Sequence, residues 1–218
     1  MRGNTRIFGI ALVLGGGLLI LLNVFLTPLL PMDQGEAVLR TSTIYFWRLS
    51  AAGVTAVLLL LGCFGVFFSH WKTVGVFGNI AFLVAFLGNS LLVAVEWSNV
   101  FVLRAVAQSS PEALGPLDNS TLMTVGFASA AGLFTLGWIM LATSAIMSRV
   151  FPLWVPIAVI SGLILIPVLG ATPLGLKGAI VGNVVFGLGI MAMGWESARK
   201  GLESTPGSFP AKLKPTAQ

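Results

Sequence analysis

The sequence predicts an all-α membrane protein, a compact bundle of six transmembrane helices with both termini on the cytoplasmic side (N-in, C-in). Three observations predict this fold class. Hydrophobic residues make up 56% of the 218 residues and charged residues only 9%, whereas soluble domains carry about 25% charged residues. Apolar runs long enough for membrane helices alternate with short polar segments. Basic residues are unevenly divided between the two predicted sides of the bundle.

The first two predicted helices cover about residues 7–30 and 44–68. The first apolar run is too long for a signal peptide and is expected to be retained as a helix. Three consecutive glycines at 15–17 favour close packing against another helix, and Pro28 predicts the helix end. The second helix begins at Tyr45, Phe46 and Trp47, an aromatic group typical of a membrane interface.

The third predicted helix covers about residues 74–96 and is distinguished by its far end. Its first 22 residues, Val74 to Val95, contain no ionisable side chain and span about 33 Å as a helix, a full hydrocarbon core. Glu96 follows this run directly. A carboxylate at a membrane boundary needs a partner or water, so the end of this helix is the focus of any functional interpretation.

The last three predicted helices cover about residues 121–147, 153–169 and 176–195. Small residues from Gly126 to Gly137 indicate that the fourth helix lies in a tightly packed bundle interior. Pro156 and Pro167 lie near the ends of the fifth, where a kink or an early stop is expected. Residues 1–200 are thus predicted to form one transmembrane domain, and the polar segment 201–218 a mobile tail.

The positive-inside rule predicts the orientation of the six helices. With cytoplasmic termini, eight of the twelve Lys and Arg residues lie inside: Arg2, Arg6, Lys72, Arg149, Arg199, Lys200, Lys212 and Lys214. Four lie outside: Arg40, Arg48, Arg104 and Lys177. Five of the six tryptophans fall at predicted interfaces, and only Trp138 falls within a span, which is typical of interfacial aromatic belts.

Polar residues near the outer ends of the first three helices are the candidate ligand-binding residues. They are Asn23, Arg48, Asn89, Glu96, Asn99 and Arg104. Arg48 is the expected partner of Glu96, because the second and third helices are antiparallel neighbours and carry these residues at the same end. Arg104 lies about 12 Å further along the helix axis than Glu96, too far for a direct bond.

This group of residues has two interpretations. It forms either a polar pocket, open to the outer surface, for a lipid headgroup or a small polar solute, or an ion pair and amides that fasten helix ends together. Asn79 and Asn183 are assigned to the inner ends of their helices as interhelical hydrogen-bonding residues. His70, beside Trp71 and Lys72, is predicted to be solvated at the membrane surface.

Several classes of protein are excluded by the residues present. A single histidine and a single cysteine, Cys63, provide no ligand set for a metal or a haem, so no metal and no cofactor are predicted. The basic residues are scattered among loops and the tail, so no nucleic-acid partner is predicted. No catalytic residue is assigned, and membrane lipid, a second copy of the chain or other membrane subunits are the predicted partners.

Three functions stay open at this stage. The first is a non-enzymatic accessory or structural subunit, or a homo-oligomer, of a bacterial inner (cytoplasmic) membrane, packing through Gly- and Ala-rich faces of the first, fourth and sixth helices. The second is a small-solute or lipid transporter or channel with an outer-leaflet polar site around Glu96. The third is an interfacial lipid-modifying enzyme with Glu96 as general base.

Overall fold

The computed structural model describes residues 2–73 and 75–203, of which 88% are helical and none is in a strand. The all-α fold class is therefore confirmed. The helices are α1 (Arg2–Leu21), α2 (Glu36–Thr41), α3 (Thr43–His70), α4 (Gly75–Trp97), α5 (Arg104–Ser109), α6 (Leu114–Asp118), α7 (Thr121–Ser148), α8 (Trp154–Gly170) and α9 (Leu176–Glu203). Helices α1, α3, α4, α7, α8 and α9 correspond to the six predicted segments, and α2, α5 and α6 lie in the connections between them.

Within residues 2–73 and 75–203, five helical segments are long and apolar enough to cross a membrane, as in a multi-pass membrane protein. They are Thr5–Leu29, Thr43–His70, Gly75–Ser109, Thr121–Ser148 and Leu176–Arg199. Helix α8 is apolar but has only 17 residues. The last helix continues to Glu203, so the first three residues of the predicted mobile tail are helical, and the rest of that tail lies outside the described residues.

Glycines bring α1, α8 and α9 into backbone contact, with α9 antiparallel to both of its neighbours. A Cβ atom on Gly16 would lie 2.7 Å from the carbonyl oxygen of Gly187, and one on Gly194 would lie 2.7 Å from that of Gly9. A Cβ atom on Gly189 would lie 2.7 Å from the backbone nitrogen of Val159 in α8. Any larger side chain at these positions would push the helices apart, so the small residues set the helix spacing.

Helix α7 pairs with α4, but only part of its small-residue run lies inside the bundle. Gly88 of α4 and Gly137 of α7 lie directly against the partner backbone. By contrast, Gly126 and Gly132 have no neighbouring atom within 4 Å of a built Cβ, and most residues from 121 to 132 are exposed. The predicted interior position of this run is therefore wrong for its N-terminal half, because α4 covers α7 only from its middle onward.

Trp138 is fully buried at the centre of the largest apolar cluster, where its ring lies edge-on to Phe186. The other five tryptophans are 53% to 65% exposed. They lie near the helix ends: Trp47 and Trp97 at one end of the bundle, Trp71, Trp154 and Trp195 at the other. The structure thus separates Trp138, buried within a helix, from five exposed tryptophans near helix ends, and the location of these five at membrane interfaces stays a prediction.

His70, the last residue of α3, is buried rather than solvated. Its exposed fraction is 3%, its Nε2 lies 3.0 Å from Oγ of Ser144 on α7, and its Nδ1 lies 2.6 Å from the carbonyl oxygen of Val66. Phe151 meets the ring edge-on. The prediction of a surface histidine is wrong because the C-terminal part of α7 and the segment after it cover the last turn of α3.

Candidate functional site

Glu96 lies in the last turn of α4 and is the centre of the candidate site. One of its carboxylate oxygens is shielded from solvent and has no hydrogen-bond partner among the described residues. On the facing helix α3, a Cβ atom at Gly53 would lie 3.8 Å from Cβ of Glu96, an ordinary van der Waals contact. Gly53 therefore lies directly beside the start of the Glu96 side chain. An anionic oxygen in such surroundings is costly unless a donor is supplied.

A cavity of about 470 Å³, which we call the central cavity, lies beside Glu96 inside the bundle. All five spans and α8 contribute to its wall, and aliphatic and phenylalanine side chains make up most of it. Its polar lining residues are Asn23, Arg48, Thr55, Glu96, Thr135 and Asn183. A mostly apolar cavity with a few convergent polar groups is the usual character of a ligand site.

A second cavity of about 420 Å³, the loop-side cavity, adjoins the central one and shares Asn23, Arg48, Glu96 and Asn183 with it. It extends toward the segment between α1 and α3 and is lined there by Leu39 of α2. It adds three polar lining residues, namely Thr27, Tyr45 and Asn99. The structure therefore brings together four of the six predicted binding residues: Asn23, Arg48, Glu96 and Asn99.

Arg48 does not form the expected ion pair with Glu96. No such pair occurs in the part of the chain that the structure describes, and Nε of Arg48 instead donates to Oγ1 of Thr27, 3.0 Å away. Thr27 follows the end of α1, and its hydroxyl in turn donates to the carbonyl oxygen of Leu22. The guanidinium of Arg48 is thus held at the cavity wall by Thr27 and makes no ion pair with the carboxylate of Glu96.

Asn23, in the π-helical segment Leu22–Leu26 that follows α1, and Asn183, on α9, both line the central cavity. Each amide nitrogen donates to the carbonyl oxygen four residues earlier in its own helix, at 2.9 Å for Asn23 and 3.0 Å for Asn183. Each side chain therefore offers its amide oxygen as an acceptor. The assignment of Asn183 to the opposite end of the bundle is wrong, because α9 runs antiparallel to α1 and starts where α1 ends.

Two π-helical segments flank the cavities, at Leu22–Leu26 and Ser98–Leu103. The first contains Asn23 and the second contains Asn99. In the first, the backbone N–H of Thr27 bonds to the carbonyl oxygen of Leu22, five residues earlier, and Pro28, which has no N–H, ends the regular helix. Single π-helical turns occur frequently at functional sites, because the extra residue redirects the side chains that follow.

Asn89 lies away from the cavities, fully buried between α4 and α7. Its amide nitrogen donates to the carbonyl oxygen of Ala85 at 2.6 Å, and its amide oxygen accepts from Nε1 of Trp138 at 3.4 Å. Both functional groups are therefore occupied within the protein. This asparagine joins α4 to α7 and lines neither the central cavity nor the loop-side cavity.

Arg104 also has partners elsewhere, at the C-terminal end of α2. Its guanidinium donates to the carbonyl oxygens of Arg40, Thr41 and Ser42 at 2.9–3.0 Å and lies 5.1 Å from the ring centre of Phe46. The last carbonyl groups of a helix lack partners within the helix and carry partial negative charge. Arg104 thus fixes α2, whose Leu39 lines the loop-side cavity.

A third space of about 350 Å³, the α3–α4 groove, extends from Glu96 along the outside of α3 and α4. Its other lining residues are Leu49, Ser50, Gly53, Val54, Val57, Leu58, Val93, Trp97, Val100 and Phe101. Val54 and Val57 are exposed on the outer surface of the bundle. Glu96 is the residue that this groove shares with both polar cavities.

Comparison with protein-family models, curated proteins and solved structures finds no match to this chain. Across residues 2–73 and 75–203, no group of three His, Cys, Asp or Glu side chains is placed to hold a metal ion. The cavities and the polar groups around Glu96 are thus the features that indicate a function.

Proposed function

We propose that the protein is a small membrane transporter or channel that binds a small polar solute or a lipid headgroup beside Glu96. The observation that carries this proposal is the unpartnered, shielded carboxylate oxygen of Glu96, on a residue that lines adjoining cavities of about 470 and 420 Å³. Intramembrane carboxylates are rare and mark substrate or ion pathways when they face a cavity. A ligand with N–H or O–H donors would supply the hydrogen bond that the protein leaves unmade.

We further propose six membrane crossings, with both termini in the cytoplasm of a bacterial cell and the cavities opening toward the outer leaflet. Helix α8, at 17 residues, meets the lower limit for a crossing. The tryptophans near the two ends of the bundle suit two membrane interfaces. Arg40, Arg48, Arg104 and Lys177 lie at the cavity end, and the other six basic residues within 2–73 and 75–203 lie at the opposite end, which supports this orientation.

The orientation is tested by labelling single cysteines with a membrane-impermeant thiol reagent in a Cys63→Ala background. We expect Glu112→Cys, exposed in the connection after α4, to react from the outside of intact spheroplasts. Thr73→Cys, exposed in the turn after α3, should react only after the membrane is opened. The reverse pattern, or labelling of both from outside, would contradict the topology.

The same background tests the cavity itself. Thr135→Cys lines the central cavity and is expected to react with a small hydrophilic thiol reagent. Ala142→Cys, two turns further along α7 in the fully buried core, serves as the control and should stay unreacted in the folded protein. Equal protection of the two cysteines would mean that the cavity is closed to polar molecules, and the proposal would fail.

Ligands can be sought by thermal shift of the purified full chain with amines, amino acids and lipid headgroups. A ligand present at one hundred times its Kd stabilises the folded state by about 2.7 kcal/mol, or several degrees in a chain of this length. We expect Glu96→Gln to abolish the shift, and Glu112→Gln, which removes an exposed carboxylate, to retain it. A shift that survives Glu96→Gln would place the ligand elsewhere.

A second candidate function, association with another membrane subunit or a second copy, has one observation in its favour. The N-terminal half of α7 exposes Gly126 and Gly132 with open space beside them, and Leu122 there is 87% exposed. The glycine faces of α1 and α9, in contrast, pack against each other within the chain. Purification in mild detergent as a monomer, with no other protein attached, would rule out this candidate.

A further inference from the structure

We infer that the ligand is a phospholipid with a primary ammonium headgroup, bound with its head in the polar cavities and an acyl chain in the α3–α4 groove. This inference rests on the proposed function and narrows it to one chemical class. It follows from three features that meet at Glu96: a set of free acceptors, the guanidinium of Arg48 in the cavity lining and an apolar channel open to the outside of the bundle.

The acceptors predict a head with several N–H donors. Glu96 contributes a carboxylate oxygen without a partner, and Asn23 and Asn183 each contribute an amide oxygen, because their nitrogens are bonded to their own helices. All three residues line both the central and the loop-side cavities. A primary ammonium has three N–H donors and a positive charge, which matches one carboxylate and two amide acceptors.

The cation predicts an anionic group on the same ligand. Arg48 lines both cavities with Glu96, and within the described part of the chain its guanidinium makes one hydrogen bond, from Nε to Thr27. The two terminal NH₂ groups of the guanidinium stay available, and their planar arrangement suits two oxygens of a phosphate. A ligand that carries an ammonium and a phosphate would neutralise both charges, whereas a simple amine would leave Arg48 without a counter-charge.

The groove predicts that an acyl chain is attached to this head. Apart from Glu96 and Ser50 its lining is apolar or aromatic, and it reaches the outer surface at Val54 and Val57. In a membrane that surface faces lipid chains. Because Glu96 lines the groove and both cavities, the polar head and the chain of one amphiphile can occupy them together. Gly53 lines this groove directly beside the start of the Glu96 side chain.

The test measures binding to the purified full chain in a detergent micelle by native mass spectrometry, with four defined probes. Dihexanoyl phosphatidylethanolamine has the complete chemistry. Glycerophosphoethanolamine lacks the chains, dihexanoyl phosphatidylcholine lacks the N–H donors, and dihexanoyl phosphatidylglycerol lacks the cation. We expect the first probe to bind at least tenfold more tightly than each of the other three.

Variants assign the binding to the site. Glu96→Gln is expected to weaken phosphatidylethanolamine binding at least tenfold, and Glu112→Gln to leave it unchanged. Gly53→Leu should fill the groove and reduce the affinity toward that of glycerophosphoethanolamine. Val57→Phe, at an exposed position, is a second groove variant with less risk to folding. Each variant is compared only after its thermal unfolding midpoint has been shown to match that of the parent chain.

The outcomes separate the two levels of the proposal. Equal affinity for glycerophosphoethanolamine, or for phosphatidylcholine, would overturn the assignment of a phospholipid, while a Glu96-dependent solute would still satisfy the proposed function. Insensitivity of phosphatidylethanolamine binding to both groove variants would also overturn the lipid assignment. Loss of every Glu96-dependent shift, together with an unreactive Thr135→Cys, would overturn the proposed function as well.

Discussion

Arg48 donates a hydrogen bond from its Nε to Oγ1 of Thr27, 3.0 Å away, and this bond joins the first turns of α3 to the segment that follows α1. Thr27 is 3% exposed, and its hydroxyl donates onward to the carbonyl oxygen of Leu22. The threonine hydroxyl is therefore satisfied both as an acceptor and as a donor. As a result, the charged group that faces Glu96 is fixed at the wall of the cavities.

Thr27→Val is expected to lower the free energy of unfolding by about 1–3 kcal/mol, because a buried hydrogen bond to a charged group is lost. Thermal unfolding of the purified protein in detergent measures the change, and about 2–4 °C per kcal/mol is expected for a chain of this length. Thr27→Ser keeps the hydroxyl and should behave more like the parent. If valine and serine destabilise equally, the hydrogen bond to Arg48 has no energetic role.

Arg104→Lys is expected to loosen α2 without unfolding the bundle. A lysine ammonium lacks the planar fork of five donors with which arginine reaches three neighbouring carbonyl oxygens. Hydrogen–deuterium exchange should accelerate at least fivefold at the amides of Leu39 and Ser42, which bond within this segment. Arg199→Lys, at the other end of the bundle, is the control. Unchanged exchange would show that α2 is ordered without Arg104.

Most helix ends could be predicted from sequence within a few residues, for a physical reason, although the last helix continues eight residues beyond its predicted end, to Glu203. Long apolar runs leave the backbone no hydrogen-bond partner in lipid except its own, so they form helices whose ends lie near the first polar residues. The fourth segment, predicted as 121–147, is Thr121–Ser148 in the structure. Successive long helices run in opposite directions, so Asn183, near the start of the last helix, lies at the same end of the bundle as Asn23, which follows α1.

The site could be predicted only in part, because sequence gives the depth of a residue but not the neighbour it meets. Asn23, Arg48, Glu96 and Asn99 share one end of the bundle and do line common cavities. Asn89 lies two turns before Glu96, at a depth where Trp138 packs against α4. Its assignment to the protein interior depends on the position of α7, which no local pattern in the sequence reveals.

Gly194→Ala is expected to destabilise the fold by about 1–3 kcal/mol, the usual cost of overpacking. Its Cβ would lie 2.7 Å from the carbonyl oxygen of Gly9 and 2.8 Å from the backbone nitrogen of Val13, and neither atom can move without shifting α1. Gly126→Ala is the matched control, since nothing lies within 4 Å there and alanine favours helix by about 1 kcal/mol. Equal thermal midpoints would contradict the close packing of α1 against α9.

Asn89→Ala separates a structural asparagine from a ligand-binding one. The substitution removes the acceptor for Nε1 of the fully buried Trp138, so we expect a loss of about 1–3 kcal/mol in unfolding free energy. The reactivity of Thr135→Cys in the central cavity should stay unchanged in the same background, because Asn89 lines none of the three spaces around Glu96. A variant of parental stability with altered cavity labelling would assign Asn89 to the site instead, and would mean that α7 packs on α4 differently from the contact described here.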